Sequence, residues 1–136
     1  MSLLIVDSSV ALTWCFEDEA TTETDRIFEQ VRGHGAIVPA LWHLELGNVL
    51  LQAEKRGRIS WADISIRLSL IAALPITTDH DAPRLTREIL ELARAQQLTA
   101  YDATYLELAL RKGAAIATKD VALIAAAKRL GVTALP

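Results

Sequence analysis

Leu3-Leu4-Ile5-Val6-Asp7-Ser8-Ser9 is the stretch from which the fold can be read. A short, wholly apolar run that stops at an acid reads as a strand buried on both faces, as strands of parallel sheets are. Ser8 and Ser9 are N-cap residues by type, so a helix is expected to follow through about Phe16. Glu17-Asp18-Glu19 then interrupts the apolar pattern. The same alternation recurs outward from this start. Ile27, Phe28 and Val31 share one face of a helix over 21–31 that Gly33 and Gly35 end, and Ala36-Ile37-Val38 is a second strand stopped by Pro39. Residues 41–56 read as a helix closed by Gly57. A helix capped by Ser60 runs to Leu74 with Ile64, Leu68 and Ile71 on one stripe. Ile76-Thr77 is a strand remnant before the loop Thr78-Asp79-His80-Asp81. Pro83 suits a first helical turn, and Leu85, Ile89, Leu92 and Ala93 carry that helix to Gln97. A helix over 101–112 stops at Gly113, 114–118 is a third strand, 121–130 a helix and 132–135 a final strand. Strands alternating with helices of ten or more residues predict an α/β domain with a mainly parallel central sheet flanked by helices. No repeat, low-complexity tract or linker interrupts it, so residues 1–136 are expected to form one domain.

Composition narrows the classes further. The chain is 51% hydrophobic with a mean hydropathy of +0.25, which excludes intrinsic disorder. Its longest apolar runs, over 36–42, 70–76 and 121–127, fall well short of the roughly 18 residues a membrane span needs. The N-terminus lacks the basic region of a secretory signal. A soluble, cytoplasmic protein with no membrane partner is the expectation. Cys15 is the only cysteine, so an intrachain disulfide and a Cys-rich zinc site are excluded. The net charge of −3 argues against simple electrostatic binding of nucleic acid. Were four acids held around a metal, however, the remaining charges would nearly balance, and a phosphate-bearing substrate would stay admissible.

In open parallel sheets, ligands bind beyond the carboxyl ends of the strands. Asp7 directly follows the first strand, and Asp120 lies just past the third in Thr118-Lys119-Asp120. Glu45 is near the start of the helix that leaves the second strand, and Asp102 sits in the first turn of its helix. Four acids from four segments can thus reach one edge of one sheet. Close together and ionised they would repel, unless a cation neutralised them. All-oxygen ligation suits Mg²⁺ or Mn²⁺, ions that neutralise phosphate oxygens and generate a nucleophile from bound water. Metal-assisted hydrolysis of a phosphodiester is the chemistry implied, with Asp7, Glu45, Asp102 and Asp120 as catalytic residues and metal ligands. Each acid also has a plainer role open to it. Asp102 could be a helix N-terminal acid and Asp120 an N-cap. Asp7 closes a buried strand and Glu45 interrupts the apolar run Leu41–Leu46, so each of these needs a partner. Asn48, one turn after Glu45, could contact substrate or be an ordinary surface residue. Ser8, Ser9, Thr104 and Thr118 could orient the carboxylates or serve as caps.

The segments Ile5-Val6-Asp7-Ser8-Ser9-Val10, Glu45-Leu46-Gly47-Asn48, Tyr101-Asp102-Ala103-Thr104-Tyr105-Leu106-Glu107-Leu108-Ala109 and Thr118-Lys119-Asp120 resemble those of PIN-domain ribonucleases. The likeness is to the VapC toxins of type II toxin–antitoxin pairs, and it covers essentially the whole chain. It implies a PIN-like single domain and an Mg²⁺- or Mn²⁺-dependent endoribonuclease that cuts single-stranded or loop RNA. It further implies Asp7 and Asp102 as central metal ligands, with Glu45 and Asp120 completing the cluster directly or through water. A homodimer, and a cognate VapB-type antitoxin that covers the groove and blocks the site, are implied as partners.

Other features point less directly to function. Trp14, Trp42 and Trp61 could line a partner surface or fill the core, with the core favoured for Trp42 and an interface for Trp14. Lys55, Arg56, Arg58, Arg111, Lys112 and Lys119 could hold RNA backbone or be solvated charges. Asp79-His80-Asp81 could ligate a cation but reads more simply as turn chemistry. His34 and His43 lack zinc spacing, and neither a Gly-x-Ser-x-Gly elbow nor a Gly-rich phosphate loop is present. Two other classes fit the chain less well. A receiver-type phosphoacceptor domain would want adjacent acids after its first strand, where this chain has Ser8-Ser9. A binding-only member of the same fold should have lost acids that this chain retains.

Overall fold

The computed structural model describes residues 3–135; Met1, Ser2 and Pro136, included in the domain expected from the sequence, lie outside the described residues. Five parallel strands form its sheet: β1 (Leu4–Val6), β2 (Ala36–Pro39), β3 (Ile76–Asp79), β4 (Ala115–Ala117) and β5 (Ala134–Leu135), in the order β3-β2-β1-β4-β5. Ile5 stands in register with Ile37 on one side and Ile116 on the other, so β1 is the central strand. That position explains its composition, since every residue of β1 is buried.

Seven α-helices connect and cover the strands among the described residues: α1 (Ser8–Ala11), α2 (Thr22–His34), α3 (Leu41–Lys55), α4 (Trp61–Ala72), α5 (Thr86–Gln96), α6 (Ala100–Lys112) and α7 (Val121–Arg129). Reciprocal capping boxes fix two of the starts, Thr21 with Thr24 on α2 and Ser60 with Asp63 on α4. Trp42, Leu46 and Leu50 of α3 and Tyr105, Leu106 and Leu108 of α6 bring the largest side chains into a core built around β1 and β4. Gly35 has φ +81°, and a Cβ there would meet the Pro75 carbonyl oxygen at 2.8 Å, so only glycine lets β2 and β3 begin side by side. No helix among the described residues is long and apolar enough to cross a membrane.

Several boundaries differ from the sequence expectation. The first helix does not continue to Phe16: α1 ends at Ala11 and tightens into a 3₁₀ turn over Leu12–Trp14, and Glu17–Glu19 forms another. Asp7, not Ser8 or Ser9, occupies the N-cap position of α1, without capping through its side chain. β3 extends through Thr78 to Asp79 because it pairs with β2 along its whole length, Pro39 opposite Asp79. Pro83 lies in a 3₁₀ turn over Ala82–Leu85, and α5 starts only at Thr86.

Candidate active site

Asp7 leaves the end of β1 with its backbone N–H bonded to the Ala117 carbonyl at 2.9 Å, which carries the chain across to β4. Asp7 is only 5% exposed, and three hydroxyls serve its carboxylate. Thr118 donates to Oδ2 at 2.7 Å, Ser9 donates to Oδ2 at 2.9 Å, and Ser8 reaches Oδ1 at 3.4 Å. Ser9 Oγ in turn accepts the Lys119 backbone N–H at 2.9 Å, and Thr118 Oγ1 accepts that of Asp120 at 3.0 Å. The loops after β1 and β4 are thereby tied together through the carboxylate they surround.

The other three acids approach from helix starts. Asp102 is in the first turn of α6, where Thr99 caps its backbone N–H at 3.1 Å. Its carboxyl is pushed up to about 6, first by burial and then by repulsion from Asp120, Asp7 and Glu45. Asp120 is the N-cap of α7, its Oδ1 accepting the Leu123 N–H at 2.8 Å. Glu45 lies one turn into α3, half-buried, with Oε1 accepting the Tyr105 hydroxyl at 2.5 Å and the Ser8 hydroxyl at 3.4 Å. Burial raises its pKa, as does the charge of Asp7, against the hydrogen bonds from Tyr105 and Ser8. Like-charge repulsion of this kind requires that all four acids share one neighbourhood. Among the described residues, no three His, Cys, Asp or Glu side chains form a ready-made metal cage. The donor set nevertheless fits a hard cation: it is all oxygen, and Asp102 carries repulsion that a positive charge would relieve.

The remaining candidates divide cleanly. Ser8, Ser9 and Thr118 touch site carboxylates, whereas Thr104 turns its hydroxyl back to the Ala100 carbonyl at 2.8 Å. Asn48 is exposed in a hollow lined by Leu44, Gly47, Leu51 and Trp61. Asp79 and Asp81 clasp Arg111, at 2.9 and 3.2 Å, together with Glu107 at 2.9 Å, while His80 is exposed. That loop is therefore an ion-pair anchor, and Arg111 is occupied by protein carboxylates. Arg58 is similarly engaged, paired with Asp18 and Glu19 and stacked 4.1 Å over the Phe16 ring, while Lys55, Arg56, Lys112 and Lys119 are exposed. His43 bonds Thr78 at 2.8 Å, and burial raises the Cys15 thiol, which leaves it a poor nucleophile. Trp42 is core. Trp14 packs edge-on against Phe28, and Trp61 is 60% exposed. Sequence reasoning misses the hydrogen bond of Tyr105 to Glu45; its one signal is the i+3 spacing from Asp102, which places both on one side of α6.

A family model for the PIN domain matches residues 4–129, all four acids included. The chain belongs to the PIN-domain family. Among curated relatives of this PIN domain is Exonuclease VapC9 of Pyrobaculum aerophilum, 34% identical over 93 residues that make up 65% of this chain and 67% of that protein. Among solved structures, PAE2754 from Pyrobaculum aerophilum superimposes with a TM-score of 0.75 at 26% identity, covering 98% of this chain and 90% of that one. FitAcB from Neisseria gonorrhoeae shares the fold at a TM-score of 0.58 and 16% identity, covering 98% and 97% of the two chains. The PIN-like α/β class expected from the sequence is the class observed.

Proposed function

We propose that this PIN domain is a metal-dependent endoribonuclease, the toxin of a type II toxin–antitoxin pair. The observation that carries the reading is the convergence of Asp7, Glu45, Asp102 and Asp120, whose mutual repulsion helps push Asp102 up to about 6. Similarity to a protein named VapC9 supports the toxin assignment. Asp7 and Asp102 would hold an Mg²⁺ or Mn²⁺ ion, with Glu45 and Asp120 completing the cluster directly or through water. Bound there, the ion would neutralise phosphate oxygens and supply a water nucleophile near neutral pH. The chain's own residues do the rest. Thr118 and Ser9 fix the Asp7 carboxylate, Asp120 keeps Oδ1 on the α7 N-terminus, and the ionised acids accept the proton that an attacking water must lose.

RNA is the proposed substrate and a VapB-type antitoxin the proposed partner, with a homodimer as the working assembly. The structure offers apolar surface for both protein contacts, since α4 buries only Ile64 and exposes Trp61, Ile66, Leu68 and Leu70.

The test is cleavage of linear and circular RNA by antitoxin-free protein, with Mn²⁺ or with EDTA, beside Asp102→Asn. Discrete fragments from both RNAs, lost with EDTA and in the variant, are expected. Attack on the linear RNA alone would make the enzyme an exonuclease, the activity in the relative's name. No cleavage of RNA from the native host would leave a binding-only PIN domain.

A further inference from the structure

The hydroxyl of Tyr105 does something its burial alone does not require. Tyr105 is 0% exposed, at the centre of α6, where phenylalanine would fill the same volume. A buried phenolic O–H instead demands an acceptor, and in this fold the acceptor is Glu45 Oε1 at 2.5 Å, across the gap to α3. That distance lies in the short range of O–H···O⁻ bonds to an ionised carboxylate. The contact joins two of the acid-bearing helices at one point, since Asp102 is one turn before Tyr105 on α6.

Glutamate needs such a restraint more than aspartate does. Its carboxylate ends three rotatable bonds, and the last of these has a broad torsional preference. Asp7 is held by hydroxyls on both oxygens and Asp120 by the α7 N-terminus. The side chain of Glu45 meets no backbone donor among the described residues, and Ser8 reaches the same Oε1 only at 3.4 Å. Oε2 has no protein partner among the described residues. We propose that Tyr105 is a positioning residue of the acidic site: its hydroxyl commits Oε1 of Glu45 and so presents Oε2 to the cation, at a spacing from Asp102 set by α6 itself. The proposal rests on the metal-site reading above and adds the residue that aims the acid with the longest side chain of the four.

Tyr105→Phe keeps the ring and removes the hydroxyl. The deciding measurement is Mn²⁺ affinity of the RNA-free protein, by titration followed by electron paramagnetic resonance, with thermal melting as the check on folding. Loss of an outer hydrogen-bond partner of a metal ligand lowers affinity about 10- to 100-fold, so a folded Tyr105→Phe protein should bind Mn²⁺ at least about tenfold more weakly. In a Glu45→Ala background the same substitution should change nothing further, because Tyr105 acts only through Glu45. In RNA cleavage kcat should fall with KM little changed. Parental Mn²⁺ affinity in Tyr105→Phe, or an equal loss with Glu45 already removed, would overturn the role of Tyr105. If Asp102→Asn also bound Mn²⁺ like the parent, the metal site itself would fall and the proposal with it.

Discussion

Thr118 donates its hydroxyl to Asp7 Oδ2 at 2.7 Å and accepts the Asp120 backbone N–H at 3.0 Å, so one buried side chain sets the distance between two of the four acids. Valine has nearly the same shape and neither function. Thr118→Val should cost about 1–3 kcal/mol of stability, because the buried Asp7 carboxylate would lose its shortest hydrogen bond, keeping Ser9 and Ser8, and the Asp120 backbone N–H would lose its acceptor. Mn²⁺ affinity should drop roughly 10- to 100-fold through misplacement of Asp7. Urea denaturation and a Mn²⁺ titration read the two effects separately, and an unchanged titration would show that Asp7 holds its position without Thr118.

Folding raises the proton affinity of Asp102, to about 6, and that of Glu45 as well. A carboxyl raised in the fold contributes stability that is fully present below its unfolded pKa and is lost as pH rises through its folded value. Asp79 and Asp63 are lowered, so their contribution is present above the unfolded carboxylate range and lost in acid. The metal-free protein should therefore melt highest near about pH 4 and lose stability from there to about pH 6. Asp102→Asn should flatten that slope and raise the melting temperature at pH 7.5 by roughly 2–5 °C, allowing for screening in an open cleft. Added Mn²⁺ should stabilise the parent at pH 7.5 more than at pH 5. A melting temperature that climbed steadily from pH 5 to 7.5 without metal would contradict the repulsion among these acids.

The sequence is most readable where one chemical signal has one structural outcome. The run Leu4-Ile5-Val6 could only be a strand covered on both faces, and an acid directly after it had to lie at the carboxyl edge. Glu45 is conspicuous because it interrupts the apolar run Leu41–Leu46. What escapes are interactions made across the fold. Beyond its i+3 spacing from Asp102, nothing local distinguishes Tyr105, whose hydroxyl finds Glu45 sixty positions away in sequence, from a core aromatic. Asp79-His80-Asp81 reads as a loop because β3 is held by pairing with β2 and its acids by Arg111, both supplied from elsewhere. Asp120 shows the opposite ambiguity: the capping role and the site role, read as alternatives, are compatible, since Oδ1 caps α7 and Oδ2 has no hydrogen-bond partner among the described residues.

Arg111 should matter for the fold and not for RNA. It bridges Asp79, Asp81 and Glu107, and Asp79 is largely shielded there. Arg111→Met would leave these three carboxylates facing one another, at a cost of about 2–4 kcal/mol in urea denaturation. Breaking the exposed Arg87–Glu91 pair should change stability by less than about 0.5 kcal/mol. Lys119, exposed between Thr118 and Asp120, is the contrasting cation. Lys119→Ala should leave stability alone and shallow the salt dependence of RNA binding by about 0.7 for each phosphate that Lys119 neutralises. A salt dependence altered by Arg111→Met and untouched by Lys119→Ala would reverse these assignments.

The two apolar surfaces flanking α4 differ in charge, and that difference separates the two proposed partners. The groove lined by Trp14, Phe28, Ile66 and Leu70 is edged by Glu17 and Asp25, with Arg67 beside them, and suits an apolar segment carrying basic residues. The face between α3 and α4, lined by Leu44, Gly47, Asn48, Leu51, Trp61 and Leu68, has no charged side chain, so two copies of it can meet without like-charge repulsion. Leu44 is 80% exposed there, and a Cβ on Gly47 would touch nothing within 4 Å, which leaves room for a second helix to approach closely. Leu44→Glu would set two carboxylates against each other across a dimer axis and bury them in apolar surroundings. The Kd of the proposed homodimer should rise by about 100-fold or more, giving a monomer in sedimentation velocity at micromolar concentration. Leu70→Glu, on the acidic-edged groove, should leave the proposed homodimer intact and impair binding of a VapB-type antitoxin, the other proposed partner. A parental protein that sedimented as a monomer would overturn the homodimer, and a Leu44→Glu protein that still dimerised like the parent would place the self-contact elsewhere on the molecule.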